Sequence, residues 1–384
     1  MVADPDKPLV VHHYYPLGSG NVGDEMVALA LRKHLVHHFG PCRFVDMPVN
    51  DRCTEPGRPI GLRGENLQRS NAEADLVVIG GSNLLEPRKP RYDPHTRRKV
   101  GRIGIDTDLD SLRQLQVPLL LVGMGSGSSF AQPMREYEPD TIALLHELFG
   151  KAFAHDVRDA TTASVLLCRG VKTTFSGCPV MFLTETRVTP QKDGPVAVSF
   201  PPFYIGRALA GKLWLWQTFR FIRDLYHRGV PMVVTLHEDR DVDYVRRRLP
   251  PSIPVFWTDN PQEQIAFFTG VRGVVGFRLH AALLGLGLGK PVVPIGVDWR
   301  GRGMIRTFDA GQYAVMGDSP LLDGLGLRQR LLDLTDLLVR GDEELAEFWA
   351  RAKVKALRAY HTFLTDAAER FCRLRQQRAA AARR

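Results

Sequence analysis

Short continuous apolar runs that end in glycines alternate along this chain with stretches whose apolar residues recur every three or four positions. Residues 9–15, 76–79 and 119–122 are of the first kind and predict β-strands, while residues 25–36 are of the second and predict a helix. Strands that are apolar throughout, rather than at alternate positions, predict a parallel sheet covered on both faces, with ligands approaching the carboxyl ends of its strands. Residues 184–194, which contain Pro, Thr and Lys, read as a linker. A second series follows: strands at 196–200, 232–236, 273–276 and 292–295, and helices at 212–228, 241–248, 261–269 and 281–288. Beyond Leu325 the pattern is helical, and the low-complexity end QQRAAAARR is expected to fray.

The prediction is an α/β fold of two doubly wound, Rossmann-like lobes facing a cleft, a glycosyltransferase-B-like architecture with a helical C-terminus. Residues 1–187 form the N-terminal lobe, 195–330 the C-terminal lobe with the donor site, and 331–384 the C-terminal helices and basic tail. Length agrees, because 384 residues exceed the roughly 250 to 300 at which a single core stops growing.

Apolar residues at 44% and charged residues at 24% place the chain among soluble globular proteins. The five cysteines, Cys42, Cys53, Cys168, Cys178 and Cys372, are scattered and make no CxxC pair or Cys/His cluster of metal-ligand spacing. A reducing compartment and no metal are expected. The N-terminus is acidic before it is apolar, unlike a signal peptide, and the most apolar run, 274–289, contains Arg278 and His280. Neither feature suits export or membrane insertion, so a cytoplasmic location is expected.

The net charge of +9, concentrated in residues 88–102 and after Arg370, favours phosphorylated or polyanionic ligands. Neither an RNP-type motif nor a helix-turn-helix pattern accompanies it, so nucleic acid is not an expected partner. The basic tail is either a solvated helix end or a peripheral attachment to the inner membrane face.

Candidate chemistry gathers where strands end. The loop Gly18-Ser-Gly-Asn21-Val-Gly23-Asp24-Glu25 opens a helix, where either the free N–H groups of the helix start attract an anion or Asp24 merely caps the helix. Two more small-residue turns, Gly80-Gly81-Ser82-Asn83 and Gly123-Met-Gly125-Ser126-Gly-Ser128-Ser129, end the strands at 76–79 and 119–122. Three such loops at one edge of a sheet would let a ligand touch main chain. After Ala152-Phe-Ala154 stands Arg158-Asp159, either a phosphate-binding arginine or a surface ion pair. His237-Glu238-Asp239 ends another strand and offers a carboxylate to acceptor hydroxyls. In Gly276-Phe-Arg278-Leu-His280 the cation and the imidazole are two residues apart, so in extended chain they would face one way and share a patch. A basic, glycine-rich loop, Gly296 to Gly303, carries Arg300 and Arg302, of which Arg300 is the better candidate to meet an anion. No GxSxG, P-loop or HExxH pattern supports a serine hydrolase, P-loop NTPase or zincin.

In their order these pieces resemble the polysaccharide pyruvyltransferase family: Asn21-Val-Gly23-Asp24-Glu25, Gly80-Gly81, Val157-Arg158-Asp159 with Ser164, Gly177-Cys-Pro179-Val180, and Arg278-Leu-His280 before Gly289-Lys-Pro291. The resemblance spans roughly residues 10 to 305. It implies transfer of a pyruvyl group from phosphoenolpyruvate, as co-substrate and without a further cofactor, to hydroxyls of a sugar, oligosaccharide or lipid-linked glycan. It also implies catalytic roles for Arg158, Arg278 and His280, with Asn21, Asp24, Gly80, Gly81, Gly125, Ser126, His237, Glu238 and Arg300 expected around the substrates. Arg300 stands where the family often has lysine, and Ser82 where a third glycine is frequent. The rival readings are a nucleotide-sugar-dependent glycosyltransferase of similar fold and a non-catalytic glycan-binding relative.

Overall fold

The computed structural model describes residues 7–51, 58–92, 99–127, 136–202, 205, 206 and 208–381. The first lobe runs β1 (Leu9–Tyr15), α1 (Val22–Phe39), β2 (Cys42–Pro48), α2 (Gly64–Glu73), β3 (Leu76–Gly80), β4 (Arg88–Tyr92), β5 (Lys99–Arg102), α3 (Leu109–Gln114) and β6 (Leu119–Met124). It continues with α4 (Pro139–Lys151), β7 (Ala152–Val157), α5 (Ala160–Leu167) and β8 (Thr174–Phe175). Six of these strands make a parallel sheet in the order β2-β1-β3-β6-β7-β8, and β4 pairs with β5 as an antiparallel ribbon.

The second lobe repeats the scheme with β9 (Val196–Ser199), α6 (Leu209–His227), β10 (Met232–Thr235), α7 (Asp239–Arg246), β11 (Val255–Phe256) and α8 (Pro261–Thr269). Next come β12 (Gly273–Gly276), α9 (Leu279–Gly287), β13 (Val292–Gly296), α10 (Trp299–Thr307) and β14 (Val315–Met316). Its strands lie in the order β11-β10-β9-β12-β13-β14, again parallel. Two helices, α11 (Pro320–Arg340) and α12 (Glu343–Ala381), complete the chain.

The apolar runs form these strands because both faces of each sheet are covered: every residue of β1, β3, β6, β12 and β13 is buried. In each lobe the strand order reverses beside the first strand, between β1 and β3 and between β9 and β12. Those switch points open the crevices where α/β sheets take ligands, and the loops after β1, β3 and β12 border them.

Some expectations need correction. The glycine-rich stretch after β13 is helix α10 rather than a loop, because Asp298 accepts hydrogen bonds from the amides of Arg300 (3.0 Å) and Gly301 (3.2 Å) and so caps a helix start. The basic end is helical to Ala381 rather than frayed, and Arg378 donates to the Gln116 carbonyl at 2.6 Å. Ser128 and Ser129 lie outside the described residues. The run 274–289 is divided between β12 and α9, and no helix among the described residues is long and apolar enough to cross a membrane.

The lobes are joined through a continuous apolar core that includes Met26 and Leu31 of α1, Phe182, and Leu283 and Leu286 of α9. A 3₁₀ turn at Pro179–Phe182 lies against α9 so closely that a Cβ on Gly287 would sit 2.2 Å from the Val180 carbonyl oxygen. Helix α12 then straps the lobes, with a rise of about 58 Å at 1.5 Å per residue. Near its start Trp349 donates to the Val292 carbonyl (2.7 Å) and Lys353 to those of Thr186 and Leu286 (2.8 Å each) and Gly287 (3.2 Å); near its end Phe371 packs on Phe39 and Phe153. Gly287→Ala is therefore expected to destabilise the protein by about 2 kcal/mol or more in denaturant unfolding. Gly311→Ala, where an added methyl meets nothing within 4 Å, should be near neutral, and equal effects would contradict the tight seam.

Candidate functional site

Asn21 begins the site. Its extended backbone and its Oδ1, which accepts from the Gly23 amide at 3.0 Å, make it the cap of α1. Asp24 is therefore not the cap; it lies buried in the first helical turn and accepts from Ser19 Oγ at 3.2 Å. The Asn21 backbone also forms an isolated antiparallel bridge with Glu238 of the other lobe. Two residues on, a Cβ on Gly23 would lie 2.1 Å from His280 Nδ1, so the absence of a side chain there admits the imidazole onto the start of α1.

The other glycine turns divide into two uses. Gly80 and Gly81 face α1, where added Cβ atoms would meet Leu31 at 2.4 Å and Val27 at 2.1 Å, so helix packing accounts for both. Gly125 instead faces the site, where a Cβ would lie 1.9 Å from Arg158 Nη2. Ser126 supports it from behind, its amide donating to Thr162 Oγ1 at 3.0 Å. Arg158 leaves β7 fully enclosed and not as a surface pair: its Nε donates to Asp159 at 3.3 Å, Asp159 caps α5 by accepting from the Thr162 amide at 2.7 Å, and Arg158 Nη2 is buried with no hydrogen-bond partner.

From the second lobe, His237 and Glu238 lie in the connection from β10 to α7. His237 is buried, and neither of its ring nitrogens has a partner. Glu238 accepts from Arg278 at 2.6 Å, and Asp241 accepts from the other arm of the same guanidinium. Arg278 and His280 do not point the same way as extended chain would require. The chain turns into α9 at Leu279, so Arg278 is held toward α7 while His280 faces α1. Arg300 is held by Asp298, its Nε donating at 2.8 Å.

The electrostatic result is a cluster of buried nitrogen. Burial first, then Arg158, Arg300, His237 and Arg278, hold the His280 pKa well below its usual range. Burial and Arg278 likewise push His237 down to about 3. Both imidazoles are neutral near pH 7 and each retains at least one unsatisfied nitrogen, a costly arrangement in a protein interior unless a ligand completes it. Beside them a cavity of about 10 Å³, room for about one water, is lined by Arg158, Asp159, Cys178, Leu279, Arg300 and Thr307. The lobes meet around it: the Ala160 amide donates to Thr307 Oγ1 at 3.0 Å, and Gly303 lies against Asp159.

Sequence reasoning missed the carboxylates that aim the arginines. Asp241 and Asp298 had the signal of acids near helix starts, but their pairing with Arg278 and Arg300 needs chain reversal to exist. It also missed Cys178, Leu279 and Thr307 as cavity walls, for which nothing local distinguishes them from core.

The model of the polysaccharide pyruvyl transferase family matches residues 21–298, which include Arg158, His237, Arg278 and His280 but stop short of Arg300. No functionally curated protein matches the sequence. Among solved structures the chain is similar to a putative UDP-N-acetylglucosamine 2-epimerase from Listeria monocytogenes, with a TM-score of 0.51 and 13% identity over 90% of this chain and 91% of that one. The UDP-GlcNAc 2-epimerase of Methanocaldococcus jannaschii, in complex with UDP-GlcNAc and UDP, aligns at a TM-score of 0.48 and 10% identity over 92% of this chain and all of that one. At such identity the Listeria likeness is one of fold: two lobes of glycosyltransferase-B-like form with a helical C-terminus.

A histidine whose folded pKa is depressed costs stability as pH falls through its unfolded value of about 6.5. His237 is thus expected to steepen acid unfolding, and its removal in His237→Leu should lower the slope of unfolding free energy between about pH 6 and pH 4 by about 1.4 kcal/mol per pH unit. Identical slopes for the two proteins in pH-series urea melts would contradict the buried neutral imidazole.

Proposed function

The chain belongs to the polysaccharide pyruvyl transferase family, and from that premise we propose that it takes the pyruvyl group of phosphoenolpyruvate and sets it as a cyclic ketal on two hydroxyls of a glycan or glycan precursor. The observation that carries this reading is the pair of buried, unsatisfied nitrogens, Arg158 Nη2 and His280 Nε2, at the seam between the lobes. A guanidinium suits a phosphate or carboxylate, and an imidazole beside it suits proton movement at the same molecule.

In this mechanism a proton adds to the methylene carbon of the donor, making C2 electrophilic. One sugar hydroxyl attacks C2, phosphate leaves, and a second hydroxyl closes the ketal. Of the two hydroxyl protons lost, one balances the proton taken by the methylene carbon and the other leaves with phosphate. His280 is the proton carrier. Its depressed pKa arises after burial chiefly from Arg158 and Arg300, and the anionic donor would offset exactly those cations, raising the pKa so that His280 becomes a competent acid when the donor is bound. Arg158 and Arg300 balance phosphate and carboxylate charge, while Arg278, locked between Glu238 and Asp241, fixes the entrance to α9 and adds to the positive field. The substitution of arginine for the usual family lysine at Arg300 keeps the charge and removes a titratable group.

The cavity of about 10 Å³ is several times too small for phosphoenolpyruvate, so the lobes part to admit it and close to exclude water from the protonated intermediate. The glycan, whether free, oligomeric or lipid-linked, approaches from the rim that bears Asn21 and Glu238.

The test is thermal unfolding with phosphoenolpyruvate titrated in, beside His280→Ala and Arg158→Ala. A saturable rise that both variants lose supports the donor, whereas a rise with a nucleotide sugar and none with phosphoenolpyruvate would move the protein to glycosyl transfer. His280→Ala is expected to lower turnover by about 10²- to 10⁴-fold while keeping its fold by circular dichroism. Donor binding should also take up a proton near neutral pH, read from the dependence of calorimetric binding enthalpy on the buffer; no uptake would remove His280 as the acid.

A further inference from the structure

A second group of histidines lies at the opposite end of α1. His37 and His38 occupy its last turn, and α12 brings His361 against them. One nitrogen from each of the three rings can be chosen so that all lie within 4.8 Å of one another. His38 Nε2 and His361 Nδ1 are 2.9 Å apart, and Thr365 Oγ1, one turn further along α12, is 3.4 Å from His38 Nδ1. His34 packs edge-on beneath them, its ring centroid 5.7 Å from that of His361, with its Nε2 committed to the Phe182 carbonyl at 2.9 Å.

Chemistry favours a metal ion over chance adjacency here. Thr365 Oγ1 can accept from His38 Nδ1, and in that tautomer the His38 lone pair lies on Nε2 and aims at His361 Nδ1, leaving a place for one proton or one cation between the two nitrogens. Tetrahedral zinc at about 2.0–2.1 Å from each nitrogen separates its ligands by roughly 3.3 Å, which asks His38 and His361 to part by a few tenths of an ångström from 2.9 Å and the more distant nitrogens, within 4.8 Å, to close in. The hydrogen-bonded outer nitrogen is the usual support of a ligating imidazole. The last turn of α1 adds the negative end of an 18-residue helix. His37 is exposed while His38 and His361 are half-buried, so one coordination position faces solvent.

We propose that His37, His38 and His361 bind one divalent transition-metal ion of the zinc type, with water as the fourth ligand, as a clasp between α1 of the first lobe and the strap helix α12. Nothing in the sequence announces it: His37 and His38 are adjacent, and His361 is more than three hundred positions away. The site is about 21 Å along α1 from Gly23, by the helical rise, and is independent of the donor assignment. Its role is mechanical, since α12 starts on the second lobe at Trp349 and reaches the first lobe here.

The experiment uses the full-length protein without a polyhistidine tag, stripped with a chelator and titrated with Zn²⁺ alone against a chromophoric zinc indicator. One equivalent should bind and raise the melting temperature. His361→Ala and the double variant His37→Ala/His38→Ala should lose both effects while keeping their metal-free melting curves. Co²⁺ in place of Zn²⁺ should give the intense visible bands of tetrahedral nitrogen ligation in the parent protein and not in His361→Ala. No binding at millimolar Zn²⁺, or an equivalent retained in the triple variant His37→Ala/His38→Ala/His361→Ala, overturns the proposal.

Discussion

The arrangement turns on one steric fact: the first turn of α1 has no side chain at position 23, and His280 from the other lobe occupies the space a Cβ would fill. That contact brings the switch points of two separate sheets onto one seam. It also removes water from a set of nitrogens that would otherwise be solvated, and desolvation is the leading cause of the depressed pKa of both His280 and His237. A seam made of cations and imidazoles repels itself, so each arginine is held by its own carboxylate: Arg158 by Asp159, Arg278 by Glu238 and Asp241, Arg300 by Asp298. The carboxylates fix the direction of the forks in advance.

Holding such a seam closed needs apolar contact elsewhere. The core that crosses from α1 to α9 and the strap of α12 provide it, and both depend on close backbone approach, at Gly287 against Val180 and through Lys353, whose ammonium reaches three carbonyls of the linker and of α9. Burial pushes Lys353 down to about 8, still charged near neutral pH. The same strap carries His361 to the far end of α1, so one helix of the first lobe touches the second lobe chemistry at its start and the C-terminal helix at its end.

Most of the fold was legible because fully buried parallel strands are apolar along their whole length, and helices such as α6 and α8 keep a three-to-four-residue rhythm. β8, β11 and β14, two residues each, are too short to have a pattern, and α10 was hidden because its glycines, demanded by contacts with Ile295 and Asp159, resemble a loop. The glycine turns stand where the sequence placed them, but local sequence cannot say whether a missing side chain makes room for a helix, as at Gly80 and Gly81, or for a buried polar side chain, as at Gly23 for His280 and at Gly125 for Arg158.

What the sequence determined by itself is the series of strands and helices, the position of the glycine turns at strand ends, and the order of short motifs that the family model also matches. These are properties of neighbours along the chain. Only tertiary structure decided that Arg278 faces Glu238 and Asp241 and not the direction of His280, that Asp241 and Asp298 aim arginines, and that His361 converges on the adjacent pair His37 and His38. Each of those depends on which elements meet after the lobes close, and the free energy that closes them comes from apolar area spread over the whole core rather than from the residues that are brought together.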